Sequence, residues 1–403
     1  AARLGEAEKH FDAVRKQVNE IKKGGEDLAQ PTMWDKISGG VGKMATAFNA
    51  FIALAVFQFI VNGFKAIIGK FTEFEDAAQD LSAITGLVGK DLEYLKDQAK
   101  KTGPEFGMTA AEMLNAYKTM GSAKPELLAQ KEALADITKE AIILAKAGKI
   151  DLTDAAKSTA ESLNQFGAKA DQARRFINVM AAGAKEGAAE ISEMSSSLKA
   201  SGTVAKATGL SFEQTNAVLQ SLSTIALKGE QSGTALRNVL IKLASGADET
   251  NPKVVGLDKA LENLGKQNLS TKELTDKFGE GNLVAAQHII THGKEISVLT
   301  GKLTGTNTAY EQASTNMNTL SERWKQGTAI VTGFAVSIGE KLAPYVKTAI
   351  DFFIEMASNV EVNSGVFTTF SGVLGDVWDI FSTLISTVFP NFNSGGVTIR
   401  NVM

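Results

Sequence analysis

Between Phe74 and Ser245, apolar and alanine positions recur every three or four residues, the period of a helix. No run of alternating β-branched residues competes with that period, so the stretch predicts a train of short helices. Hydroxyl and acidic residues mark their starts. Thr109 ahead of Ala110-Ala111-Glu112 is a capping box, and Asp151-Leu152-Thr153-Asp154 and Ser211-Phe212-Glu213-Gln214 carry the same signal. Gly103, Gly121, Gly148, Gly167, Gly209 and Gly229 fall at the matching ends, where a left-handed residue closes a helix at little cost.

The flanks follow different patterns. Leu4, Ala7, Phe11, Val14, Val18 and Ile21 form a near-heptad stripe, broken by Gly24-Gly25 and Pro31, and a second helix is expected near Trp34. Residues 44–64 are uncharged between Lys43 and Lys65 and long enough to span a bilayer as one helix. Against that, Gln58, Asn62, Lys65 and Gly69 make a thin polar stripe, which suits packing in a bundle of copies, and the flanking lysines set no orientation. After Thr250 the pattern loosens. Asn251-Pro252 reads as a boundary, Ser270-Thr271-Lys272-Glu273 restarts a helix, Asn282 caps another towards His292, and Thr300–Thr308 reads as a loop. Ala309 to about Asn359 reads as one long helix, or two broken near Pro344. A last apolar helix covers Val366 to Phe389, where Asp376 and Asp379 argue for packing against protein.

The resulting expectation is an all-α chain, with a glycine-punctuated globular core flanked by long amphipathic and hydrophobic helices packed in a multi-copy bundle. Its divisions are an amphipathic segment and linker over 1–43, a hydrophobic helix over 44–70 and the core over 71–246. A helical linker region over 247–308 and the long and C-terminal helices over 309–403 complete it.

Composition narrows the function. The 403 residues carry 42 Lys and Arg against 45 Asp and Glu, a net charge of −3, which gives no basic footprint for stable nucleic-acid binding. Cysteine is absent, which excludes a disulfide framework, a thiolate metal site and a cysteine nucleophile. Six prolines leave room for long helices. The start at Ala1 and the end on Gly395-Gly396-Val397 through Met403 read as an excerpt or processed piece of a longer protein.

No constellation of residues carries chemistry. His288 and His292 stand one helical turn apart, but Ile289 occupies the place of a metalloprotease glutamate and no third ligand is evident. Ser38 to Met44 comes near the phosphate-loop spacing, yet Ile37 replaces the first glycine and Met44 the magnesium-binding hydroxyl. Ser196-Ser197-Leu198-Lys199 and Lys101-Thr102-Gly103 match two motifs of penicillin-recognising enzymes in inverted order, without the Ser-Asp-Asn motif. Glu73, Glu75, Asp76 and Asp80 read as a solvated helix face. No catalytic, cofactor-binding or metal-binding residue is assigned, and no enzyme activity or cofactor is expected.

The helical core carries a resemblance. Phe74-Glu75-Asp76-Ala77, Ile84-Thr85-Gly86, Leu92 and Leu95 before Ala99-Lys100-Lys101-Thr102-Gly103, and Met120-Gly121 open it. Leu144-Ala145-Lys146-Ala147-Gly148, Leu152-Thr153-Asp154-Ala155-Ala156, Asn164-Gln165-Phe166-Gly167 and Ala173-Arg174-Arg175-Phe176 continue it. Val204-Ala205, Gly209-Leu210-Ser211, Gly229 and Ser232-Gly233-Thr234-Ala235-Leu236-Arg237-Asn238 close it. In order and spacing this resembles the core region of phage tail tape measure proteins of the TP901 type.

The resemblance implies a structural protein of the virion, lying in the tail tube lumen or at the tip in a few copies, a trimer or a hexamer. Such a protein sets tail length and leaves the tube before the genome passes. Implied partners are the tail-tube protein, tail-tip or hub proteins, assembly chaperones and, on ejection, the host envelope. The physical logic agrees. A helix advances about 1.5 Å per residue and so serves as a ruler, and a near-neutral chain does not hold passing DNA. The short helices of 74–245 suit docking, and 309–359 suits extended multi-copy packing. The alternatives are a membrane-inserting helical pore-former anchored by 44–64, or a component of a phage-derived injection device.

Overall fold

A computed structural model of the chain describes residues 41–358, with most side chains between 62 and 351. The stripe at 4–21, the helix near Trp34 and the apolar helix at 366–389 lie outside the described residues. The described elements are all helical, without a strand. They run α1 (Val41–Thr85), α2 (Gly89–Thr102), α3 (Ala110–Ala123), α4 (Lys131–Gly148), α5 (Leu152–Phe166) and α6 (Ala173–Glu186). Then come α7 (Ile191–Ala207), α8 (Phe212–Ser223), α9 (Gly229–Ala244), α10 (Pro252–Val255), α11 (Leu257–Lys266) and α12 (Thr271–Phe278). The series ends with α13 (Leu283–Thr291), α14 (Gly293–Leu303), α15 (Thr308–Met317) and α16 (Leu320–Ser358). Thr72–Ser337 pack as one compact unit, and the 45-residue α1 and 39-residue α16 extend past its limits.

The start signals form as the local sequence dictates. Thr109 Oγ1 accepts the Glu112 amide at 3.2 Å, while the Glu112 carboxylate accepts the Thr109 amide at 2.7 Å. Ser211 with Gln214 and Ser270 with Glu273 repeat this reciprocal arrangement, and Asp151 caps α5 through the Thr153 amide. Each such cap contributes about 1 kcal/mol.

The glycines divide into two kinds. Gly167 and Gly209 are left-handed, at φ 60° and 87°, and follow helix ends as expected. Gly103 is right-handed, Gly121 sits inside α3, and Gly229 opens α9 instead of closing α8. At Gly148 the left-handed turn falls one residue later, on Lys149 at φ 50°. Gly229 keeps a left-handed φ of 56° without a close neighbour, whereas at Gly121 and Gly148 the reason is contact. A Cβ on Gly148 would stand 2.5 Å from the Ile191 side chain, and one on Gly121 2.8 Å from Leu128.

Three further departures lie towards the C-terminus. The stretch Thr300–Thr308 is helical as far as Leu303. Asn282 precedes α13 without capping it, because its side-chain oxygen accepts from Asn238 at 3.1 Å while its side-chain amide donates to the Phe278 carbonyl at 3.0 Å. The long helix begins at Leu320 after a break at Asn318-Thr319 and runs unbroken through Pro344. Residues 252–303 bury Leu257, Leu261, Leu264, Phe278, Ile289 and Ile296 in the same core as α3–α9.

Candidate interaction surface

Two residues that carry the sequence resemblance, Phe166 and Phe176, meet Phe212 inside the unit. Phe166, Phe176 and Phe212 come from the end of α5, the first turn of α6 and the start of α8. Their rings stand 3.9 Å (Phe176–Phe212, stacked), 5.2 Å (Phe166–Phe212, edge-on) and 6.0 Å (Phe166–Phe176, edge-on) apart. Beside them Arg175 donates Nε and Nη2 to the two oxygens of Glu213, both at 2.6 Å. The Glu213 side chain is only 6 % exposed and the Arg175 side chain 48 %. Burial pushes the Glu213 carboxyl up, but the Arg175 hydrogen bond and charge, together with bonds from its own backbone amide and Ser211, outweigh it and hold the carboxyl below its ordinary value.

A carboxyl depressed on folding stabilises the fold above its unfolded value, and that contribution is lost as pH falls through the folded value. Arg175→Met is therefore expected to cost about 2–3 kcal/mol at pH 7, reduced from a fully buried pair because the guanidinium is half solvated. Denaturant melts should show the gap to the parent chain narrowing as pH falls towards 4, and Glu213→Gln in the same chain should recover part of the loss. A gap independent of pH would show that packing, not charge, dominates.

Helices α7 and α9 approach each other closely. A Cβ on Gly233 would lie 2.1 Å from the Ser197 carbonyl oxygen, so only glycine allows this approach. Ser197 Oγ stands 2.7 Å from Ser232 Oγ and 2.8 Å from the Gly229 carbonyl. The serine of the Ser196–Lys199 motif is thus a buried packing residue, and Lys199 is exposed.

Helix α15 lies across α4 and α6 as a strap. Its buried face is small, Ala309 and Ala313, and polar bonds fix it at both ends. The buried Asn178 accepts the Ala309 amide at 2.9 Å, and Asn316 donates to the Lys146 and Ala147 carbonyls at 2.8 and 3.2 Å. Between them Tyr310 donates to Glu140 at 2.6 Å, and burial pushes the Glu140 carboxyl up. Sequence reasoning had no signal for these partners, which lie far away in the chain. Asn178→Ala leaves a buried amide without its acceptor and is expected to cost about 1–3 kcal/mol. Hydrogen exchange should then quicken in α15 ahead of α7 and α9; uniform quickening would argue against a separately held strap.

The other sequence candidates resolve as structural residues. His288 and His292 stack at 4.0 Å, with His288 Nε2 2.9 Å from Ser221 Oγ and His292 Nδ1 3.0 Å from the His288 carbonyl. Burial, then the neighbouring His292, pushes the His288 imidazole down. Among the described residues no group of three His, Asp or Glu side chains is placed to hold a metal. Glu73, Glu75, Asp76 and Asp80 are exposed, and Asp80 pairs with Lys118. Residues 38–40 lie outside the described set, and 41–44 are helical. An open groove of about 740 Å³ runs between Met108, Ile142, Ile150 and Glu322 and gathers no catalytic grouping.

What the unit leaves uncovered is apolar. Along α16 the residues Leu320, Trp324, Val331 and Phe334 are 86, 76, 67 and 64 % exposed. The opposite face of the same helix is docked, through Ala329 and Val336, a Glu322–Lys146 ion pair at 2.7 Å and a Gln326 bond to the Glu105 carbonyl at 2.8 Å. Among the described residues no helix is long and apolar enough to cross a membrane. The side chains of 44–61, on which the bilayer-length reading rests, lie outside the described set.

Buried aromatic and glycine positions and an exposed apolar helix face describe an all-helical packing unit without a catalytic grouping among the described residues. The comparisons with known proteins agree with that class. Residues 96–292 match the family described as phage-related minor tail protein. The chain is 22 % identical over 377 residues to a tape measure protein of Pneumococcus phage Dp-1, an alignment covering 86 % of this chain and 32 % of that protein. It is 26 % identical over 203 residues to a probable tape measure protein of Clostridium phage phiCD119, covering 50 % of this chain and 21 % of the relative. No solved structure matches. The chain is thus similar to phage tail tape measure proteins and spans about a third and a fifth of the lengths of these two relatives.

Proposed function

We propose that this chain is part of a phage tail tape measure protein of the TP901 type, with a structural and not an enzymatic role. The alignment over 86 % of the chain with the Dp-1 protein is the observation that carries the reading. In this account a few copies, a trimer or a hexamer, lie in the tail tube lumen or at the tip. There they set tail length during assembly against the tube, tip and chaperone proteins, and leave before the genome passes. The extended helices α1 and α16 suit the ruler, since each helical residue adds about 1.5 Å. The compact unit of Thr72–Ser337 suits docking.

Quantitative mass spectrometry of purified particles, with the tube protein as internal standard, tests this. A few copies per tail support it, and absence from particles with recovery from host membranes overturns it in favour of a pore-former. Contact with the host envelope after ejection is a separate step of the proposal, motivated by the apolar runs at 44–64, which is uncharged, and 366–389, where only Asp376 and Asp379 are charged. Peptides covering those runs should release dye from liposomes; intact liposomes at every pH would remove that step alone.

A further inference from the structure

On α16, Leu320, Trp324, Gly327, Val331 and Phe334 follow one another at intervals of four, three, four and three residues. At 100° per residue these positions fall on one narrow line, and the docked Ala329 and Val336 lie on the opposite side. The helix therefore has two apolar faces, one covered by its own unit and one bare. The four-three interval is the spacing by which helices pair along a left-handed seam.

Three features select a second copy of this chain as the occupant. The middle of the bare line is open to the close approach of a second helix, because Gly327 carries no side chain and has nothing within 4 Å of a built Cβ. The run from Gln326 to Gly339, which holds Gly327, Val331 and Phe334, contains no charged residue, so pairing two copies opposes no like charges along it, and beside Trp324 the Lys325 charge is already paired with Glu322. The exposed apolar side chains offer roughly 600 Å² per copy, the upper end of what monomers show bare. Two copies together bury about 1,200 Å², the lower bound of a stable interface.

We propose that copies of this chain pair through the Leu320–Trp324–Gly327–Val331–Phe334 line of α16. The proposal rests on the multi-copy reading above and names the seam.

The test uses the full 403-residue chain, which has no cysteine of its own. Gly327→Cys should form an intermolecular disulfide on mild oxidation, whereas Val298→Cys, also exposed but away from the line, should not. Sedimentation velocity should show the parent chain associated and Trp324→Asp/Phe334→Asp monomeric, with unchanged helix content because both sites are exposed. An associated chain with no Gly327→Cys cross-link overturns the seam while leaving the multi-copy reading intact. A chain monomeric at every concentration, with the thiol introduced by Gly327→Cys open to maleimide, overturns both. A monomer in which that thiol resists maleimide assigns the line to another segment of the same chain and overturns the seam. If the aspartate variant misfolds, the cross-link alone decides.

Discussion

Gly233→Val is expected to destabilise the compact unit by about 3 kcal/mol or more, lowering its melting temperature by about 6–12 °C. A Cβ there would sit 2.1 Å from the Ser197 carbonyl oxygen and 2.8 Å from the Ala200 Cβ. A backbone oxygen cannot swing aside as the end of a flexible side chain can. The two helices must separate, and the Ser197–Ser232 hydrogen bond is lost with their close contact. Thermal circular dichroism checks this against Gly301→Ala in α14, where nothing lies within 4 Å and the exchange should stabilise by about 0.5 kcal/mol. Equal effects at the two glycines would show that helix propensity, not close approach, governs position 233.

Phe212→Ala should cost about 3–5 kcal/mol, because the ring is 1 % exposed and contacts both Phe166 and Phe176. Removing it opens a cavity and breaks both aromatic pairs, each contributing about 0.5–1.5 kcal/mol beyond burial. Trp324→Ala removes a larger ring yet should change stability by less than about 0.5 kcal/mol in the unassociated chain, since that ring is 76 % exposed. Urea unfolding at low protein concentration compares the two. A large loss at Trp324 under those conditions would mean that the chain covers this residue itself.

The contrast shows what was legible in the chain. Caps were legible because their physics is local: Thr109 meets Glu112 and Ser211 meets Gln214 three residues on, whatever surrounds them. Glycines were half legible. Gly167 and Gly209 are chosen for their own backbone angle, but Gly121, Gly148 and Gly233 are chosen for neighbours that sequence does not display. The bare face of α16 was hidden for a related reason. Phe334 and Val336 read alike as apolar helix positions, and only packing reveals that one is 64 % exposed and the other 1 %. Periodicity finds stripes on a helix; it does not say which stripe is covered.

The strap carries a consequence for the order in which the molecule forms. Its bonds join Ala309 to Asn178, Tyr310 to Glu140 and Asn316 to Lys146, residues 131 to 170 positions apart. The α7–α9 bonds close over 32 to 35 positions. Closing the longer loop costs more chain entropy before any contact repays it, and the buried alanines of α15 repay little. Pulse-labelled exchange during refolding should therefore protect α7 and α9 amides before those of α15, and simultaneous protection would refute this order. On the ribosome the scaffold that receives the strap is also made first. Tension applied from the α16 side runs the sequence backwards, peeling α15 from its polar anchors while the interlocked helices behind it still hold.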